Sequence, residues 1–140
     1  MKTFYEEYYD YTKKFLRTQK ISDKHRYVMY PNGNIATIVR EVLIKEYNIT
    51  PVFIVDNNRY DGKTVYNLSQ ASLLSDNSTY YLICSDKDEI YNDIRENLKK
   101  YIDNNHIIDL FPRKVERKYI ENVNLVLDSI ENEIREKVCI

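Results

Sequence analysis

The sequence predicts an α/β fold built on a short parallel sheet, and three observations carry that expectation. Strand-like and helix-like segments alternate from Arg26 to Phe111. Such a rhythm gives parallel strands joined by right-handed crossovers, with helices on both faces. The strand segments "VFIVDN" (52–57) and "TYYLICSD" (79–86) are continuous apolar runs, as suits strands covered on both sides. The first strand runs through a tight turn directly into an amphipathic helix, "RYVMYPNGNIATIVREVL" (26–43).

Each element has its own warrant. Residues 3 to about 19 predict a helix, because Phe4, Tyr8, Tyr11 and Phe15 recur at spacings of four, three and four. Glu6, Glu7 and Asp10 come early in it and Lys13, Lys14 and Arg17 late, which complements the helix dipole. This helix and the polar link "ISDKH" form an N-terminal unit, residues 1–22. Arg26–Tyr30 is short, apolar and β-prone, the first strand. A helix over Asn34–Tyr47 buries Ile35, Ile38, Val39, Val42 and Leu43, with Asn48 as its left-handed stop. Pro51 opens the second strand, and Asp61-Gly62 marks a turn.

A very short extended piece and a short helix follow. There Asn67 and Gln70 have the spacing of a capping box. After the third strand, Asp86 with Glu89 is expected to cap a helix with Ile90, Ile94, Leu98, Tyr101 and Ile102 on its apolar face. "HIIDLF" (106–111) is the fourth strand, ended by Pro112. The α/β unit thus spans residues 23–112, with about four strands in the order 2-1-3-4. Residues 113–140 read as a C-terminal helix, with Ile120, Val123, Leu127, Ile130 and Ile134 at coiled-coil spacing. That helix packs within the subunit, pairs with a second copy, or leads into a further domain.

Composition narrows the function. A chain of 140 residues makes one core. The 21 basic and 22 acidic side chains leave a net charge of −1, without the basic excess of a nucleic-acid binder. No run is apolar enough to span a membrane. The acidic, aromatic start is no signal peptide, and two isolated cysteines, Cys84 and Cys139, suit reduced thiols in the cytoplasm. Cysteine and histidine spacing offers no metal site, and no catalytic motif is present, so a non-enzymatic role is favoured.

Candidate binding residues gather where the strands end. In an open parallel sheet, ligands bind outside the carboxyl ends of the strands, where the order reverses. The turn Asn32-Gly33-Asn34, the pair Asp56-Asn57 and Ser85 all fall there. A helix start near Asn34 offers backbone N–H groups to an anion, and Asp56 suits a ribose hydroxyl. Against the glycine-rich dinucleotide pattern, Pro31 stands at the first glycine, Gly33 at the second and Ala36 at the third. The spacing is kept, and with strand, helix and acid in place it predicts a Rossmann-like three-layer α/β/α fold. Other readings remain open: Asp56-Asn57 as a strand end, Ser85-Asp86 as a helix cap, Cys84 as a buried inert thiol. His25 and His106 precede strands, at the edge opposite Cys84.

The segments "YPNGNIATIVREVL", "PVFIVDN", "YYLICSD" with "EIYNDIRENLKKYI", and "IIDLF" together resemble the Rossmann-like domains attached to FkbM-type methyltransferases and other bacterial glycan or capsule biosynthesis proteins. The resemblance covers Arg26 to Phe111. It implies a nucleotide or nucleotide-sugar ligand on Asn32, Gly33, Asn34, Asp56 and Asn57. The expectation is a non-catalytic binding module in cytoplasmic glycan biosynthesis. The alternative is an interaction protein that dimerises through its terminal helices and positions a partner enzyme.

Overall fold

The strand "RYVMY" lies at the centre of a five-stranded, wholly parallel sheet in the computed structural model, which describes residues 3–111. The elements are α1 (Phe4–Arg17), β1 (Arg26–Tyr30), α2 (Asn34–Tyr47), β2 (Phe53–Val55), β3 (Val65–Tyr66), α3 (Leu68–Leu73), β4 (Thr79–Ile83), α4 (Asp88–Lys99) and β5 (Ile107–Ile108). A 3-10 turn, Asn104–His106, leads into β5. The strand order is β3-β2-β1-β4-β5. The expected C-terminal helix lies outside the described residues.

The expected four-stranded sheet of order 2-1-3-4 is therefore corrected to five strands, its order changed by an extra edge strand outside β2. The added strand is β3, whose Val65 and Tyr66 pair with Ile54 and Val55. Its cause is local. The Asp61 carboxylate gathers the N–H groups of Lys63, Thr64 and Val65 at 2.8, 3.0 and 3.0 Å. Gly62 beside it takes φ +71, a conformation that glycine reaches without steric cost. The turn reverses the chain and lays Val65 alongside Ile54.

Burial explains why β1 and β4 are apolar throughout. Successive strand residues point to opposite faces. Tyr27 through Tyr30 and Tyr81 through Ile83 are all buried, so both faces are covered. On α2, Ile35, Ile38, Val39, Val42 and Leu43 are buried as expected, and Asn48 closes the helix at φ 56. Asn67 and Gln70 form the reciprocal capping box of α3.

Helix α4 departs from expectation. It starts at Asp88, with Lys87 as an N-cap that makes no side-chain bond. Its buried residues are Tyr91, Ile94 and Leu98, whereas Ile90 and Tyr101 are 42% and 52% exposed. Tyr91 can be buried because its hydroxyl donates to Asp109. The fourth expected strand shortens to Ile107–Ile108 because Leu110 and Phe111 leave the ladder to meet α1. The Tyr11 hydroxyl donates to the Leu110 carbonyl at 2.5 Å, and the Phe111 ring lies 5.5 and 5.3 Å from those of Tyr8 and Tyr11.

Helix α1 packs along α2. Thr12 and Leu16 are its buried residues, and Tyr8, Tyr9, Tyr11 and Phe15 pack against the core half-buried. Tyrosine hydroxyls mark the seam. Tyr5 donates to Glu41, Tyr9 to Glu46 at 3.0 Å, and Tyr47 to the Lys13 carbonyl at 3.2 Å. No helix among the described residues is long and apolar enough to cross a membrane.

Candidate functional site

The turn after β1 starts with a cis Tyr30–Pro31 bond and enters α2 through Gly33. Gly33 is extended, at φ −157 and ψ −166, and a Cβ there would meet nothing within 4 Å. Neither backbone conformation nor packing within the chain calls for a glycine here. No side chain caps α2 and no acid lies in its first turn. The N–H groups of Asn34, Ile35 and Ala36 therefore have no acceptor among the described residues. Asn32, Gly33 and Asn34 are all exposed.

Asp56 ends β2, next to β1 in the sheet. One carboxylate oxygen accepts the N–H groups of Asn58 and Arg59 at 2.9 and 3.1 Å. Its other oxygen has no partner among the described residues. Asn57 is committed to the fold: its amide donates to the Tyr30 hydroxyl at 3.1 Å and accepts from the Leu68 N–H at 2.8 Å. Ser85 is buried, and its hydroxyl accepts from the Lys87 N–H at 3.3 Å. Beside it, Asp86 accepts from the Tyr8 hydroxyl of α1. Asn32, Gly33, Asn34 and Asp56 thus follow the carboxyl ends of the adjacent strands β1 and β2, while Ser85 is enclosed and Asn57 acts as a brace.

A groove of about 420 Å³ runs from this turn between α2 and β2. Met29, Phe53 and Ile54 give it apolar lining; Asn32, Arg40 and Lys63 supply its polar groups. Arg40 and Lys63 are exposed, and neither side chain has an ion pair among the described residues. The sequence reading missed both. The available signal was spacing: Arg40 lies three and four residues past Thr37 and Ala36, on the helix flank that also lines the groove. A second cavity, of about 330 Å³, opens between α3 and α4 and is lined by Asn57, Tyr60, Asn97, Lys100 and Tyr101.

The other thiol and imidazole side chains among the described residues are engaged in the fold. Cys84 is buried, and burial pushes its thiol up to about 12, so no thiolate forms near neutrality. The His25 and His106 rings each lie 4.7 Å from the Tyr80 ring, one pair tilted and the other stacked. His106 Nδ1 also lies 3.0 Å from the Thr79 carbonyl, which fixes it as the protonated donor. Both imidazoles serve as packing partners of one tyrosine at the edge where β1 and β5 begin.

No family model matches the chain, and neither a curated protein nor a solved structure does.

Proposed function

We propose that this chain is a non-catalytic, Rossmann-like binding module for a nucleotide or nucleotide-sugar. The observation that carries the reading is the open edge between β1 and β2. There the uncapped first turn of α2, entered through a glycine the chain itself does not need, neighbours an Asp56 carboxylate with one unengaged oxygen. A helix start with free N–H groups attracts phosphate, and a carboxylate on the adjacent strand end accepts a ribose hydroxyl. A role in bacterial glycan biosynthesis, in the cytoplasm, is the part of this reading that the sequence resemblance supports.

Thermal-shift titration with nucleotides and nucleotide-sugars tests it, because a ligand bound only by the folded state raises the melting temperature. Asp56→Asn is the informative variant. It keeps an oxygen for the Asn58 and Arg59 N–H groups and removes the charge that would hold a ribose. A shift that Asp56→Asn leaves unchanged removes the ribose assignment, and the absence of any shift across the panel removes the binding reading.

A second reading, an interaction protein that dimerises and positions an enzyme, is favoured by apolar side chains left outside the core. Leu73 is 87% exposed and Phe4 52%. Light scattering on the chain with and without residues 115–140 decides it, and a monomer in both cases overturns it.

A further inference from the structure

We propose that the groove between α2 and β2 is the subsite for a phosphate monoester carrying a planar or apolar body, and that Arg40 and Lys63 are the cations that hold the phosphate. The inference rests on the binding reading above and says where the ligand's charge goes.

The lining of the groove divides by chemistry. Half-buried Ile54 and Val52, which is 42% exposed, offer apolar surface over a floor of buried Met29 and Phe53. Arg40 comes from the helix side and Lys63 from the segment before β3. Two cations lining one groove repel each other unless an anion lies between them. Several basic side chains on this surface meet acids, Lys13 with Glu46, Lys14 with Asp10, Lys45 with Glu41 and Arg95 with Asp109, whereas Arg40 and Lys63 do not among the described residues. Two acids next to these cations in sequence are already committed. Glu41, next to Arg40, accepts from Tyr5 and pairs with Lys45. Asp61 is spent on the N–H groups of Lys63, Thr64 and Val65 and on the Thr64 hydroxyl.

Two unpaired cations match a phosphate monoester, which carries a charge of about −2 near neutral pH. The guanidinium adds a planar fork suited to two phosphate oxygens. The cavity of about 420 Å³ is the size of a small-molecule site. Thr37 and Thr64 also line it, but their hydroxyl protons go to the Gly33 carbonyl and the Asp61 carboxylate. The charged donors to the anion are Arg40 and Lys63. The Asn32 amide, without a partner among the described residues, is left for the polar edge of the ligand body.

The experiment is calorimetric titration of the full chain with phenyl phosphate, inorganic phosphate and phenol, alongside nucleoside monophosphates. Phenyl phosphate should bind more tightly than either fragment. Arg40→Gln and Lys63→Gln should each weaken it by about tenfold, as loss of a charge-assisted contact does. Both residues are exposed, so the variants should keep the native melting curve. Phenyl phosphate binding that the double variant leaves unchanged, or no binding at all, overturns the groove assignment. The two readings fail separately. Nucleotide binding that responds to Asp56→Asn but not to the double variant keeps the module and removes the groove. Phenyl phosphate binding lost in the double variant, with no nucleotide bound, keeps the groove and removes the nucleotide.

Discussion

Thr12 is the residue that the fold satisfies least. It is fully buried in α1, and its hydroxyl oxygen has no hydrogen-bond partner among the described residues. A buried, unsatisfied hydroxyl costs about 1–3 kcal/mol. Thr12→Val keeps the branched shape and removes that cost, so urea denaturation should show a gain of about 1 kcal/mol. The two glycines make an opposed pair. At Gly62, φ +71 puts a side chain under strain, and Gly62→Ala should cost about 1 kcal/mol. At Gly33, the extended backbone and open surroundings accept a methyl, and Gly33→Ala should stabilise by about 0.5 kcal/mol through the unfolded chain. A loss of ligand affinity in the same Gly33→Ala variant would locate the ligand against that Cα. Asn57→Ala should destabilise by about 1 kcal/mol, since it strands the Leu68 N–H, while the Tyr30 hydroxyl keeps Asn97 as a partner.

At the scale of elements, what the sequence made legible is what local rules decide. The buried stripe of α2, its left-handed stop at Asn48 and the capping box of α3 depend on residues a few positions apart. Asn67→Ala should accordingly cost about 1 kcal/mol, measured as a lowered urea midpoint with unchanged slope. Strand β3 was legible as a very short extended piece but not as a member of the sheet, because two residues carry almost no periodicity and the Asp61 turn that recruits them works through side-chain-to-backbone bonds. The start of α4 was misplaced because Asp86 looks like a cap and is taken instead by Tyr8, from an element 78 residues earlier. The same distance in sequence hid the site's final shape. That Ser85 would be enclosed, that Asn57 would brace β1 to α3, and that Arg40 and Lys63 would line one groove all depend on packing between segments. That Asn32, Gly33, Asn34 and Asp56 follow the carboxyl ends of adjacent strands could be read because it depends only on parallel strands with short connections.

For the whole molecule, titration bounds the stable range at both ends. The Ser78 hydroxyl and N–H, with Thr79, lower Asp76 to about 2 from 3.8. Backbone N–H groups lower Asp61 in the same direction. A carboxylate held below its unfolded value binds fewer protons in the native state. Its contribution is present above about pH 4 and is lost as pH falls towards about 2. Tyrosines set the other limit. Burial raises Tyr27, Tyr30, Tyr47 and Tyr81 above 10.0, and burial with the Glu46 carboxylate takes Tyr9 up to about 12. A group with a raised value keeps its proton longer in the native state. Stability is therefore complete below pH 10 and falls as pH rises towards about 12. Melting temperatures across pH should form a plateau that drops at both ends, and Asp76→Asn should flatten the acid side.

The seam between α1 and the end of β5 also sets an order of assembly. The Tyr11 hydroxyl reaches a carbonyl 99 positions away, and β1 needs β4, some fifty residues downstream, as its second neighbour. Contacts this far apart in sequence close late and slowly. As the chain leaves the ribosome, α1 can form a helix but has no Phe111 to dock against until almost all of the described unit has emerged. Its ring-bearing face stays uncovered for that interval. Stalled chains ending before Leu110 should accordingly remain protease-sensitive within α1, and those extended well past Phe111 should become protected there.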